Sequence, residues 1–205
     1  MGKKVKVALV LLALAMAGIL LSAWLIAGRG FSAREEPTAV EAFIARGFRS
    51  LAVPRGAKET PNPVAGSPEV LSNAMAHFAD HCAICHANDG SGDTSIGKGL
   101  YPKPPDMRLP ETQNLTDGEL FYIIHNGIRL TGMPAFGQGT AEEPDTDSWE
   151  LVHFIRYLPK LTDEELEKMK SMNPKSPHEL EEEEAIRRFL EGDDNQAPPP
   201  AHKHD

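Results

Sequence analysis

The stretch ANDGSGDTSIGKGLYPKPPDMRLPETQN, Ala87 to Asn114, limits what this 205-residue chain can fold into more than any other feature. Gly and Pro recur too often in it for regular structure, yet periodic apolar segments stand on both sides. A structureless run of that length inside a compact domain is usually functional, and it must wrap around something. Immediately before it comes Cys82-Ala83-Ile84-Cys85-His86, which holds the only two cysteines of the chain.

The flanking segments read as helices. Ser67 is an N-cap and Pro68 a first helical residue, so a helix is expected from Pro68 to about Asp80, with Leu71, Met75 and Phe78 on one side. Thr116 and Glu119 form a capping box for a second helix whose apolar face is Leu120, Phe121, Ile123, Ile124 and Ile128, with Gly127 as its stop. A loop, RLTGMPAFGQGTAEEPDTD, leads to a third helix from about Thr146 to Leu158, with Trp149, Val152, Phe154 and Ile155 inward and Pro159 at its end. LTDEELEKMKSM predicts one more, exposed helix, and the Pro-rich charged tail is expected to be disordered beyond about Glu191. With no internal repeat and no alternating pattern, the expected class is all-α, three main helices with long wrapping loops.

The N-terminus adds a membrane segment. After Lys3, Lys4 and Lys6 the chain is uncharged and almost wholly apolar from Val7 to Ala27, enough helix at about 1.5 Å per residue to cross a hydrocarbon core of about 30 Å. The run exceeds the usual signal-peptide core, and only Gly28-Arg29-Gly30 fits a small-residue cleavage pattern, so an uncleaved anchor is preferred over a signal peptide. The positive-inside bias leaves the rest of the chain on the outer face. The expected organisation is an anchor over 1–28, an amphipathic arm and linker over 29–66, the folded domain over 67–160, and an acidic helical extension with its tail over 161–205. In the arm, Pro37 can open a short helix on which Val40, Phe43, Ile44, Phe48 and Leu51 recur at helical spacing, with Arg46, Arg49 and Arg55 beside them. This face would dock on the domain, the safer expectation, or lie on the membrane. The Pro-rich VPRGAKETPNPVAGSP reads as extended connector.

The net charge is −9, or −12 without the three N-terminal lysines, and Ala141 to Asp194 carries 17 acidic against 7 basic residues. Nucleic acid is thereby excluded as a partner, since phosphate binding wants clustered Lys and Arg. An acidic surface keeps a domain soluble or speeds encounter with a basic partner.

Four chemistries compete for the cysteine pair. A disulfide closing so short a loop constrains little chain entropy. A redox dithiol of the thioredoxin kind wants a βαβ context. Zinc needs four ligands, for which His77 or His81 would have to join Cys82, Cys85 and His86. The fourth reading is covalent haem attachment, whose signature is Cys-x-x-Cys-His: two thiols on one helical turn reach the two vinyl groups of one haem edge, and the adjacent His reaches iron. A low-spin carrier needs a second axial ligand, commonly a Met thioether. Met133, on the Gly- and Pro-rich TGMPAFG loop, is favoured over its rival Met107 in PPDMRLP. His77 and His81 are expected to be exposed, His125 and His153 to be surface or satisfied core residues, and His202 and His204 to belong to the solvated tail.

With these residues in place, the chain over about Pro63 to Leu158 resembles the class I monohaem c-type cytochromes, particularly the small membrane-anchored bacterial ones, which carry CHxxDGxGD after the haem motif and GMPAFG for the Met ligand. The resemblance implies one covalent haem c, with Cys82 and Cys85 as thioether attachments, His86 as proximal and Met133 as distal iron ligand. It implies a crossing of the first and last helices through Ala74 and Phe78 on one and Phe154 on the other, Ala74 standing where the family usually has Gly. A proline carbonyl, from Pro102, Pro104 or Pro105, would support the ligand His. Phe78, Tyr101 and Pro104 are the expected haem surroundings.

The function so implied is one-electron transfer, Fe3+/Fe2+, between redox protein partners of a membrane chain on the periplasmic side of a bacterial cytoplasmic membrane. No small-molecule substrate is implied and the chain is not expected to be an enzyme. Two alternatives stand beside it: a haem-bearing subunit of a larger oxidoreductase complex, and a haem enzyme or sensor whose distal side opens to a small ligand.

Overall fold

The computed structural model describes residues 2–30, 32–138 and 145–190, and among these every regular element is helical. Helix α1, Lys3–Arg29, is the apolar segment; its most apolar 18 residues, within Lys3–Gly28, have a mean hydropathy of 2.6, and none of them is buried against the rest of the chain. Its length suits a membrane crossing. Helix α2, Ala39–Ala52, starts at a capping box of Thr38 and Glu41, one residue beyond Pro37 and its neighbour. A single helical turn follows, α3, Arg55–Lys58.

The domain core is made by two helices that cross. Ser67 accepts a hydrogen bond from the Val70 amide and starts α4, Pro68–His77, as the cap signal requires. The chain does not leave helix at Asp80. It widens into a π turn, Phe78–Cys82, and continues as α5, Ala83–His86. After short turns α6, Ser95–Lys98, and α7, Pro110–Gln113, the capping box at Thr116 opens α8, Asp117–Asn126, which Gly127 ends with φ +66°. Helix α9, Thr146–Tyr157, passes into a 3₁₀ turn over Leu158–Lys160 that contains Pro159.

Helices α4 and α9 meet through small and aromatic residues. Ala74 and Phe78 are almost fully buried against Phe154, and the two phenyl rings lie with centroids 5.0 Å apart at 53°. A tilted pair at this distance adds about 0.5–1.5 kcal/mol beyond the burial of its two rings. Trp149 stacks on Phe121 of α8, centroids 4.0 Å and 9° between planes, which draws the second helix onto the same core. Arg156 fastens the far end: its guanidinium donates to the carbonyls of Gln113 and Leu115 and to the Asp117 carboxylate.

Three segments depart from expectation. The connector is not extended throughout: besides α3, Val53 is buried, Asn62 donates to the Trp149 carbonyl at 3.0 Å, and the His153 ring meets the Val64 carbonyl at 2.8 Å, so residues 53–66 lie on the helices. The apolar face of α2, by contrast, does not dock, and its five large side chains stay exposed. The acidic segment forms α10, Asp163–Lys170, and α11, Pro177–Leu190. Helix α10 is not merely exposed, because Met169 is fully buried in the core and Tyr157 donates to Glu165 at 2.9 Å. The tail beyond Glu191, with His202 and His204, lies outside the described residues.

Candidate functional site: the Cys82–His86 turn and its wrap

The π turn carries one residue more than an α turn, so α5 resumes rotated by about 100° relative to the face of α4. Phe78 can then stay in the helix crossing while the two residues Cys82 and Cys85 and the adjacent His86 occupy the next turn. Such widenings occur mostly at functional sites. Both cysteines are free thiols and half-buried. Burial pushes the Cys82 thiol up to about 12, helped by Cys85, and raises Cys85 as well. A redox dithiol has the opposite property, a depressed thiol pKa. Among the described residues no three His, Cys, Asp or Glu side chains gather to hold a metal ion, so zinc is not supported either.

His86 is the unusual residue. Its imidazole is half-buried, and its Nδ1 is a buried polar atom with no hydrogen-bond partner. Desolvation pushes its pKa down to about 4, which keeps the ring neutral and its lone pair free near pH 7. A buried ring nitrogen left without a partner costs about 1–3 kcal/mol, so the site is arranged for something beyond the folded chain.

The wrap turns sharply back under this helix. Ala87, at φ +59°, takes a backbone conformation sparsely populated by residues with a side chain. The Gly92 amide returns to the His86 carbonyl at 2.8 Å, and the Met107 amide to Gly90 at 2.8 Å. Thr94 caps α6 and its hydroxyl reaches the Cys85 carbonyl at 3.3 Å. A methyl group on Gly97 would sit 2.6 Å from the carbonyls of both Cys85 and Gly92, so α6 approaches the cysteine turn as closely as only glycine permits. The Thr94 cap three residues before Gly97 was the sequence signal for this contact.

The loop after α8 is held from both ends. Phe136 and Gly137 donate to the Ile124 and His125 carbonyls at 3.1 and 3.0 Å, and Ile128 donates to the Met133 carbonyl at 3.2 Å. The Met133 amide donates to the Thr131 hydroxyl at 3.1 Å. His125 meets the buried Asp145 carboxylate at 2.7 Å, and Asp145 in turn caps α9 by accepting from Ser148. Met133 is thus a half-buried thioether on a loop of fixed backbone, and Gly132 beside it packs on Leu100 of the wrap. Met107 lies elsewhere, buried in the apolar core.

The other expected haem neighbours are spread out. Phe78 belongs to the helix crossing, Pro104 lies half-buried against Gly92, and Tyr101 is exposed. No carbonyl of Pro102, Pro104 or Pro105 meets His86 Nδ1. His77 is half-buried rather than exposed, its ring edge-on to His81 with centroids 4.9 Å apart. His125 and His153 have the partners described above.

Residues 70–155 match the family model described as cytochrome C oxidase, cbb3-type, subunit III. The match supports a monohaem c-type cytochrome domain over these residues. No curated protein matches the chain. The family match covers α4 to α9, the cysteine turn, the wrap and the Met133 loop, and leaves out the anchor, the arm and the C-terminal extension. A cytochrome c domain implies haem c and a role in electron transfer. The residues present fit that group: two unpaired thiols on one helical turn, and next to them a neutral imidazole with an unpartnered buried nitrogen.

Proposed function

We propose that the cytochrome domain carries one haem c, joined through thioethers to Cys82 and Cys85, with His86 and Met133 as axial iron ligands, and that it passes single electrons between protein partners at a membrane. Haem so ligated supplies an Fe3+/Fe2+ couple whose potential the Met thioether raises. The chain's own contribution is rigidity and exclusion of water. Phe78 and Phe154 fix the helix that carries the attachment turn. Gly97 and Thr94 hold the wrap against Cys85, and the His125–Asp145 pair together with the Phe136 and Gly137 amides holds the Met133 loop to α8 and α9. A carrier whose ligands stay in place on both sides of the redox step reorganises little. The observation that carries this reading is the pair of free thiols, Cys82 and Cys85, with the half-buried, neutral His86 imidazole directly after them.

Helix α1 anchors the domain, with Lys3, Lys4 and Lys6 on the cytoplasmic side and the cytochrome on the periplasmic side of a bacterial cytoplasmic membrane. Tethering raises the effective concentration for encounter with membrane redox proteins. Intact-mass measurement of the purified holoprotein tests the attachment: the mass of one haem should remain after acid–acetone extraction and disappear in Cys82→Ala/Cys85→Ala. Extraction of the haem from wild type would refute it.

The name of the matching family favours a second reading, a haem-bearing subunit of a larger oxidase complex. That reading predicts stoichiometric copurification with other chains in mild detergent, whereas a free carrier purifies alone.

A further inference from the structure

Helix α2 leaves a complete apolar face in water. Val40, Phe43, Ile44, Phe48 and Leu51 fall on one side at helical spacing, and their exposure runs from 49% at Ile44 to 81% at Leu51. Five large apolar side chains on fourteen residues form a patch of the kind that marks a binding surface.

The position of the helix in the chain says what covers it. Gly30 to Thr38 is the only link to α1, and nine residues span at most about 30 Å, so α2 cannot leave the neighbourhood of the bilayer surface from which α1 emerges. Its charge fits that surface too. In a chain of net charge −9, the segment Ala39 to Arg55 holds Arg46, Arg49 and Arg55 against the single acid Glu41. A basic amphipathic helix beside a membrane span is the pattern that lies in the interface of anionic lipids, each cation near the surface adding to the attraction.

Helix α2 is also fixed to the cytochrome domain at both ends. At its start Glu36 pairs with Lys103 of the wrap. At its end Val53 is buried, and α3 docks on α8, where Lys58 meets Glu119 at 3.1 Å and the Thr116 hydroxyl donates to the Lys58 carbonyl at 2.8 Å. What binds α2 therefore orients the whole domain.

We propose that the Val40–Leu51 face of α2 lies in the lipid interface of the membrane that α1 crosses, and that it holds the cytochrome domain in one orientation with its Tyr101–Lys103 turn toward the bilayer. The inference rests on α1 spanning the membrane. The face is then a second membrane contact, distinct from the anchor, that converts a swinging tether into a fixed mount.

Spin-label accessibility on the full-length holoprotein tests it, in vesicles of phosphatidylcholine and phosphatidylglycerol with the haem reduced. Single cysteines are placed by Phe43→Cys, Phe48→Cys, Ala45→Cys and Leu14→Cys, with the unsubstituted protein as labelling background and the haem spectrum as the check of folding. Labels at 43 and 48 should collide several-fold more with oxygen and several-fold less with a water-soluble nickel chelate than the label at 45, off the apolar face. Leu14 in lipid with positions 43 and 48 open to the chelate overturns the arm contact alone. Leu14 open to the chelate overturns the anchor and the arm contact together. Labels at 43 and 48 shielded from both reagents, or broadened by spin–spin coupling that vanishes on dilution with unlabelled protein, overturn it in favour of a protein partner or a second copy.

Discussion

The phenyl ring of Phe78 meets that of Phe154 at 5.0 Å between centroids, and this contact joins the helix bearing the cysteine turn to the last helix of the cytochrome domain. Both side chains are essentially without solvent exposure. Phe154→Ala should therefore cost about 3–5 kcal/mol of stability, and Phe154→Leu clearly less, because leucine refills part of the cavity. Guanidinium unfolding of the holoprotein, followed by far-UV circular dichroism, checks both.

Gly97 offers a sharper local test. Its missing methyl would lie 2.6 Å from the Cys85 and Gly92 carbonyls, neither of which is the movable end of a side chain. Gly97→Ala should destabilise by about 1–3 kcal/mol through overpacking and lower the fraction of chains that acquire haem. A variant with wild-type haem content and unfolding midpoint would show that α6 does not brace the cysteine turn.

How much of this could be read from the residues depends on the range of the contact. The caps at Ser67 and Thr116, the stop at Gly127 and the Cys82–His86 spacing are local patterns, and the helices start or turn where those patterns put them. The π turn has no comparable pattern, since it arises where Phe78 must face the core and the cysteines must not, a demand of tertiary packing. Helix α10 was misleading because eight residues rich in Glu and Lys hide a single buried Met169. Asn173, beyond it, has its side-chain amide 3.2 Å from the Ala79 carbonyl, where the amide nitrogen would donate once the group is turned over, so the C-terminal extension lies against the helix that carries the cysteines. The docking of 53–66 depends on Gly118, whose significance shows only when Ala57 is found against it.

That last contact can be tested by itself. A methyl group on Gly118 would overlap the Ala57 carbonyl, so Gly118→Ala should lift α3 from α8 and cost about 1–3 kcal/mol. Trypsin should then cut after Arg55 and Lys58 several-fold faster than in wild type. Unchanged cleavage would mean that α3 is not held there.

The His125–Asp145 pair gives a pH dependence of known sign. Burial alone would raise the Asp145 carboxyl, but hydrogen bonds from Ser148 and His125 outweigh it and hold the group below its ordinary value of 3.8. A carboxyl lowered in the folded state adds stability that is present above about pH 4 and is lost as pH falls through its folded-state value. Unfolding free energy should therefore fall more steeply with acid below pH 4 in wild type than in Asp145→Asn. The variant should also be about 1–2 kcal/mol less stable at pH 7, where the charged cap and the pair to His125 are gone. Parallel acid profiles for the two proteins would remove Asp145 from the clasp on the Met133 loop.

The most direct test of the electron-carrier account is the absorption spectrum of the ferric holoprotein, read together with carbon monoxide binding by the ferrous form. The account predicts a sulfur-to-iron band in wild type and in Met107→Leu, its loss in Met133→Ala, and carbon monoxide binding that is weak until Met133 is removed. Persistence of the band in Met133→Ala, or ready carbon monoxide binding by the wild type, would contradict a closed His86–Met133 carrier.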